Sequence, residues 1–114
     1  MIKFVSNTRI FLSTSSVDFR KGIDGLSGVC RKLLKKNPMS GAMFVFKNKK
    51  GTAIKILYHD RTGYWLCMKR LSTGKFWWPE SIEMISTMSA SQLTTILLGQ
   101  IPHNITEIGF EKVR

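Results

Sequence analysis

Carboxylates are the side chains of this chain that could most directly support catalysis. A nuclease or polynucleotidyl transferase needs two or three of them converging on Mg²⁺. Asp18 instead fits a helix cap, and Asp60 fits a hairpin turn. Asp24 can pair with Arg20 one turn earlier on the same helix. The sequence therefore predicts no catalytic residue and no metal site among the candidates, which are Asp18, Asp24, Asp60, Glu80 and Glu83.

The histidines and cysteines also lack the spacing of a reactive or metal-binding site. His59 and His103 are the only histidines, and neither lies at ligand spacing from Cys30 or Cys67. The sequence contains no Gly-x-Ser-x-Gly motif and no glycine-rich phosphate loop. We therefore expect a protein that is not an enzyme and that binds no cofactor.

Length and composition indicate a single cytoplasmic domain. A chain of 114 residues can form one core without disulfides or metals. The first residues have no signal-peptide pattern, and nowhere do about eighteen apolar residues run together. Two isolated cysteines fit a reducing compartment, with both as small core residues. We expect one domain, residues 1–114, located in the cytoplasm and without a membrane partner.

Positive charge is concentrated in the first 75 residues. This part holds sixteen of the eighteen Lys and Arg residues but three of the seven carboxylates, so its net charge is +13, against −2 for the remainder. The field of such a surface extends about a Debye length, roughly 8–10 Å at cellular salt. The sequence therefore predicts a polyanionic partner, with nucleic acid as the first hypothesis and simple solubility as the alternative.

The candidate contacts are cations and aromatic rings of the basic part. A charged side chain contributes little to a core unless it is paired, and rings beside Lys or Arg suit base stacking. The residues predicted to bind nucleic acid are Arg20, Lys21, Lys47, Lys49, Lys50, Lys55, Trp65, Lys69, Arg70, Lys75 and Trp77.

The first elements that must position these residues are a strand and a helix. A short β-like run covers residues 9–13. From Phe19 the apolar residues recur at steps of three and four, which predicts a helix that ends before Pro38. Gly22, Gly25 and Gly28 each destabilise a helix by about 1 kcal/mol relative to Ala. We expect them to allow close packing by another backbone, with an irregular first turn as the alternative.

Four short apolar runs separated by turn signals predict an antiparallel β-meander. They cover residues 42–47, 52–58, 64–70 and 75–78. Alternation puts Ile54, Ile56 and Tyr58 on one face, which we expect to cover the first helix. The opposite, mixed face is expected to present outward Lys55, Lys69, Trp65 and Trp77.

The last part of the chain contains a second, shorter helix. Residues 80–88 show no defined pattern, Ser89 can cap the helix, and Gly99 can end it. The tail from Pro102 onward is expected to be loosely held. The predicted fold is therefore a single α+β domain, with an antiparallel β-meander of about four to five strands packed against one long and one shorter helix.

Six segments, in order, resemble the TnpB accessory protein of the insertion-sequence-66 family of bacterial transposons, also called Orf2-like. They are residues 18–26, 38–46, 55–60, 63–66, 69–71 and 74–79. The resemblance covers about residues 9–101 and leaves 102–114 as a tail. His59 departs from the family pattern, because a tryptophan is common at this position.

The resemblance implies an accessory role in transposition beside a separate, larger transposase, with no catalytic residue to carry over. We expect a non-catalytic protein that binds DNA, either transposon ends or DNA of any sequence, through a basic surface containing aromatic rings. The alternative is a protein–protein adaptor that docks on the transposase and contacts DNA little. Its docking surface would combine the acidic residues Glu80, Glu83, Glu107 and Glu111 with the apolar face of the second helix. The oligomeric state stays open.

Overall fold

A computed structural model describes residues 8–102 of the protein. The predicted tail, apart from Pro102, lies outside the described residues. No helix among the described residues has the length and apolar character needed to cross a membrane. The elements are β1 (Ile10–Ser13), α1 (Ile23–Lys32), β2 (Met43–Lys47), β3 (Ala53–His59), β4 (Tyr64–Arg70), β5 (Ile85–Met88) and α2 (Ala90–Leu97).

The five strands form one mixed sheet in the order β4-β3-β2-β1-β5. The β2, β3 and β4 strands form the predicted antiparallel meander, and β5 pairs antiparallel with β1. The β1 strand pairs with β2 in parallel, so the prediction of a purely antiparallel sheet is wrong. The reason is α1, which follows β1 and precedes β2 in sequence. It returns the chain to the end of the sheet where β1 begins, so that β2 runs in the same direction as β1.

Both faces of the sheet are covered. One face, with Phe44 and Leu57, packs against the buried residues of α1. The other face, with Ile54 and Ile56, packs against α2 and the segment around Phe76. The prediction that Ile54 and Ile56 cover the first helix is therefore wrong, since they cover the second. The domain has three layers, which explains why nearly every residue of β2 is buried.

The sheet separates the two cysteines, which are both free thiols, and the prediction that both are core residues is right for Cys30 and wrong for Cys67, which is half-buried. Cys30 is buried among the α1 residues, and this desolvation raises the pKa of its thiol to about 12. Cys67 pairs with Ile56 on the side of α2.

The α1 helix begins later than the apolar pattern predicts. Its N-cap is Gly22, without a side-chain hydrogen bond, so Asp18 does not cap it. A Cβ added at Gly22 or Gly28 would meet no atom within 4 Å. The prediction that another backbone packs closely against these two glycines is therefore wrong. At Gly25 a Cβ would lie 2.9 Å from the side chain of Lys21. The alternative of an irregular start to the helix is the one observed.

Residues 75–78 are not a strand, contrary to prediction. The backbone N–H of Phe76 donates to the carbonyl of Gly51 at 2.8 Å, and the indole N–H of Trp78 donates to the carbonyl of Ser13 at 2.9 Å. These bonds lead the segment across the α2 side of the sheet, from the β2–β3 turn to β1. The fifth strand lies instead in the run that showed no pattern, at Ile85–Met88.

The start and end of α2 agree with the sequence prediction. The Ser89 hydroxyl accepts from the backbone N–H of Gln92 at 3.1 Å, and the Gln92 amide oxygen accepts from the backbone N–H of Ser89 at 3.0 Å. This is a capping box. Gly99 follows the helix with a φ of +80°, the left-handed conformation that ends many helices.

We expect Phe44→Ala to lower the free energy of unfolding by about 3–5 kcal/mol, because it leaves a cavity between the sheet and α1. Phe44 is 0% exposed. The matched control is Met68→Ala, on the same face of the sheet but 58% exposed, which should lower it by less than about 1 kcal/mol. Urea unfolding followed by tryptophan fluorescence measures both. Equal losses would contradict the assignment of Phe44 to a packed layer.

Candidate nucleic-acid interface

The β2–β3 turn and the end of β4 meet at one end of the sheet. The backbone N–H of Leu71, just after β4, donates to the carbonyl of Thr52 at 2.9 Å. A Cβ added at Gly51 would lie 3.9 Å from the Cβ of Lys75. We call this region the hairpin end, and its cations are Lys47, Lys49, Lys50, Lys69, Arg70 and Lys75.

Hydrogen bonds of Asn48 fix the turn that presents two of these lysines. Its amide oxygen accepts from the backbone N–H groups of Thr52 and Ala53 at 2.9 and 3.1 Å. Gly51 takes a φ of +75°, which a residue with a Cβ rarely adopts. Lys49 and Lys50 are therefore held at an ordered tip, and both side chains are exposed.

Most of the hairpin-end charges have no protein partner. Within residues 8–102, the side chains of Lys47, Lys49, Lys50, Arg70 and Lys75 make no ion pair and no hydrogen bond. Lys69 differs, because its Nζ donates to the carbonyl of Leu97 at 2.6 Å, in the last turn of α2. A cation at this position also interacts favourably with the helix dipole. Five cations at the hairpin end are thus available to an anionic partner.

Arg20 and Lys21 lie at the same end of the sheet, in the segment before α1. The backbone N–H of Val17 donates to the carbonyl of Lys47 at 3.0 Å and attaches this segment to the end of β2. The Arg20 guanidinium pairs with Asp18 at 2.7 Å, so the predicted pairing of Arg20 with Asp24 is wrong. Hydrogen bonds from Arg20 lower the pKa of Asp18 to about 2, and Asp18 therefore offsets the charge of Arg20.

Lys55 contacts the protein itself. Its Nζ donates to the carbonyls of Phe19 and Lys21 at 2.8 and 2.9 Å, and it lies 4.8 Å above the Phe19 ring. These bonds occupy the ammonium that was predicted to contact nucleic acid. Lys55 pairs with Met68 in the sheet whereas Lys69 pairs with Ile54, so the two lysines lie on opposite faces. The predicted mixed face that presents both outward is therefore wrong.

The two candidate tryptophans lie in different parts of the domain. Trp65 is 43% exposed, and its indole N–H donates to Asp60 at 2.8 Å in the β3–β4 turn, at the other end of the sheet. Trp77 is half-buried and packs against the α2-side core. Trp65 therefore lies apart from the hairpin-end cations, whereas Trp77 belongs to the segment that Phe76 bonds to the β2–β3 turn.

The structure gathers a second group of cations that the sequence analysis did not single out. These residues lie at the sheet end opposite the hairpin end, around the C-terminus of α1, and we call the region the helix end. Its cations are Arg9, Arg31, Lys32, Lys35, Lys36 and Arg61. If β1, α1 and β2 are recognised in the sequence as a crossover between parallel strands, the C-terminal end of α1 is expected at this end of the sheet.

The carboxylates do not converge. Among residues 8–102, no three His, Cys, Asp or Glu side chains lie together in a way that could hold a metal ion. Asp60 accepts hydrogen bonds from Thr62, Gly63 and Trp65, so it has the predicted role in a hairpin turn.

We expect Lys55→Met to lower the free energy of unfolding by about 1–3 kcal/mol, because two charge-assisted hydrogen bonds are lost. The control is Lys75→Met, whose exposed side chain makes no hydrogen bond within residues 8–102, and it should change stability by less than about 0.5 kcal/mol. Urea unfolding of both variants measures the difference. If the two losses are equal, the contacts of Lys55 do not stabilise the segment before α1.

The Trp65–Asp60 hydrogen bond predicts a titration at unusually low pH. The indole donor and the turn N–H groups lower the pKa of Asp60 to about 2. The stabilisation from this carboxylate is therefore complete above about pH 4, the ordinary range of an Asp pKa, and is lost as pH falls toward 2. The NMR signal of the Trp65 indole N–H should follow this midpoint, with Trp77 and Trp78 as internal references. A midpoint near the ordinary Asp pKa would contradict the hydrogen bond.

Comparisons with known proteins agree with the motifs of the sequence. The pattern of the IS66 Orf2-like proteins matches residues 8–107. The relatives of this chain include two proteins of Sinorhizobium fredii (strain NBRC 101917 / NGR234). "Uncharacterized protein y4hO" is 33% identical over 99 residues, 87% of this chain and 86% of the relative. "Uncharacterized protein y4jC" is 33% identical over 91 residues, 80% of this chain and 78% of the relative.

No solved structure matches the chain significantly. The family match, in contrast, covers all of the described residues and extends to residue 107. The motif-based prediction is confirmed, and the chain belongs to the family of IS66 Orf2-like proteins.

Proposed function

We propose that the protein is a non-catalytic accessory factor of transposition that binds duplex DNA through the hairpin end. The observation that carries this proposal is the group of five cations there that have no protein partner within residues 8–102. The family match supports the transposon context, and with it a transposase of the same element as partner. The separated carboxylates give no support to a metal-dependent reaction of this chain.

The chemistry of these side chains favours contacts with phosphates over contacts with bases. Four of the five unpartnered cations are lysines, which act as point charges, and Arg70 alone offers a planar fork. Phosphate contacts position a protein on DNA without reading its sequence. Trp65 lies at the other end of the sheet, and Trp77 packs half-buried against the α2-side core, which leaves little aromatic surface at the hairpin end for the stacking that single-stranded nucleic acid would use. We therefore propose duplex DNA of any sequence as the ligand.

The alternative of an adaptor requires a different surface from the one predicted. Leu93 and Ile96 of α2 are 0% exposed and belong to the core, so they offer no docking face. The segment before β5 does carry exposed apolar side chains, with Ile82 at 99% and Met84 at 44%, on either side of Glu83. This segment supports an adaptor role as the second candidate. Glu107 and Glu111 lie outside the described residues.

Salt dependence separates the two roles and gives the test. Five phosphate contacts would give a log–log slope of the binding constant against salt of about −4.5, because each contact releases counterions. We expect Lys49→Gln combined with Lys50→Gln to make this slope shallower by about two. Fluorescence anisotropy with a short labelled duplex, repeated at several salt concentrations and with an unrelated sequence, measures it.

The matched control is Ser72→Gln combined with Thr73→Gln, which changes two exposed neutral residues between Arg70 and Lys75. It should leave the slope as in the wild type. An absence of binding at about 50 mM salt would exclude duplex DNA as the ligand. Binding to the transposase that is indifferent to salt, without DNA binding, would favour the adaptor.

A further inference from the structure

The helix end is a second concentration of charge with its own structural basis. The α1 helix ends at Lys32, and the backbone N–H of Lys36 donates to the carbonyl of Cys30 at 2.9 Å. Lys35 between them has a φ of +58°. Arg9 reaches the same place, since its guanidinium donates to the carbonyl of Ser40 at 3.2 Å. The backbone thus fixes where these cations lie.

The helix dipole accounts for part of this charge. Arg31 and Lys32 lie in the last turn of α1, where cations interact favourably with the dipole. The effect falls off beyond that turn, so it does not explain Lys35, Lys36 or Arg9. Lys36 has one further contact, with its Nζ 4.8 Å from the centre of the Phe11 ring. No carboxylate within residues 8–102 pairs with a cation of the helix end.

The two basic ends are well separated along the sheet. The seven residues of β3 extend from one end of the sheet to the other, a distance of about 20 Å at 3.3 Å per residue. At the hairpin end, Lys47 lies opposite Ile54 on the α2 side of the sheet, and Arg70, opposite Ala53, lies on the α1 side. Arg31 and Lys32 belong to α1 and lie at the other end of the sheet. A duplex that lies across the hairpin end, perpendicular to the strands, therefore does not reach the helix end.

We propose that the helix end is a second surface for duplex DNA, and that a single molecule joins two duplexes, one at each basic end. The proposal rests on the proposed function for the hairpin end, and adds to it a second ligand molecule and a bridging activity. The chemistry at both surfaces is the same, with Lys and Arg contacting phosphate oxygens. Bridging of this kind is indifferent to sequence and is weakened by salt at both contacts.

Capture between two duplexes tests the proposal directly. One duplex of about 30 base pairs is attached to beads, and a second, fluorescent duplex is added with the full-length protein at low salt. This length gives several non-overlapping sites, since each end of the protein covers only a few phosphates at about 3.4 Å per base pair. The wild type is expected to retain the fluorescent duplex on the beads, and added salt is expected to release it.

Two variants, each lacking four positive charges, test whether both ends of the protein are needed to capture the second duplex. The helix-end variant combines Arg31→Gln, Lys32→Gln, Lys35→Gln and Lys36→Gln, all at exposed positions. The hairpin-end variant combines Lys49→Gln, Lys50→Gln, Arg70→Gln and Lys75→Gln, also at exposed positions. Each variant is expected to bind one duplex and to lose about tenfold or more of the capture. The control variant Ser72→Gln with Thr73→Gln should capture as the wild type does.

Each outcome either supports the proposal or contradicts it. A wild type that binds one duplex without capturing a second contradicts bridging, and leaves the proposed function of the hairpin end intact. Full capture by the helix-end variant also contradicts it, since bridging would then come from two protein molecules joined to each other. If the fourfold helix-end variant does not melt cooperatively, the pairs Arg31→Gln with Lys32→Gln and Lys35→Gln with Lys36→Gln replace it. Each pair should reduce the capture.

Discussion

The parallel pairing of β1 with β2 is the constraint on which the rest of the structure depends. Two parallel neighbours need a crossover, and here α1 provides it. The helix covers one face of the sheet, so the other face must be covered by α2 and the Phe76 segment. The crossover also fixes the charge distribution. Because α1 runs back along the sheet, its basic C-terminus lies opposite the β2–β3 turn, and a single run of positive sequence becomes two separate surfaces.

The net charge of the chain overstates the charge that a ligand can use. Lys55 holds the segment before α1 through two carbonyls, and Lys69 binds the last turn of α2. Arg20 forms an exposed ion pair with Asp18. These three residues have the same sequence character as Lys49 and Lys50, which stand free at an ordered turn. Hydrogen bonds, and not charge, distinguish the cations that contact the fold from those that have no protein partner within residues 8–102.

The sequence predicts the elements that local patterns determine and fails where tertiary contacts decide. Alternating apolar residues and Gly-containing turns locate β2, β3 and β4 to within about a residue, and Ser89 marks the start of α2. Residues 75–78 have a strand composition, yet they form no strand. Phe76 donates to the carbonyl of Gly51 and Trp78 to the carbonyl of Ser13, so the segment crosses over the face of the sheet. The β5 strand contains Ser86 and Thr87, so its apolar signal is weak. The candidate residues of the hairpin end could be predicted because they lie on or beside the meander. The helix-end cations could not be grouped from the sequence, because their proximity depends on the parallel pairing of β1 with β2.

Clusters of like charge without counter-charge are unfavourable for the folded state, because folding fixes them close together while the unfolded chain separates them. A protein that needed net charge only for solubility would gain as much from lysines scattered over its surface. Within residues 8–102 of this chain, a single ion pair forms, and it lies outside both clusters. A polyanion removes the repulsion at either end on binding, and its released counterions add to the favourable free energy. Binding of the proposed DNA ligand would therefore stabilise the folded chain, an effect that a role in solubility alone does not provide.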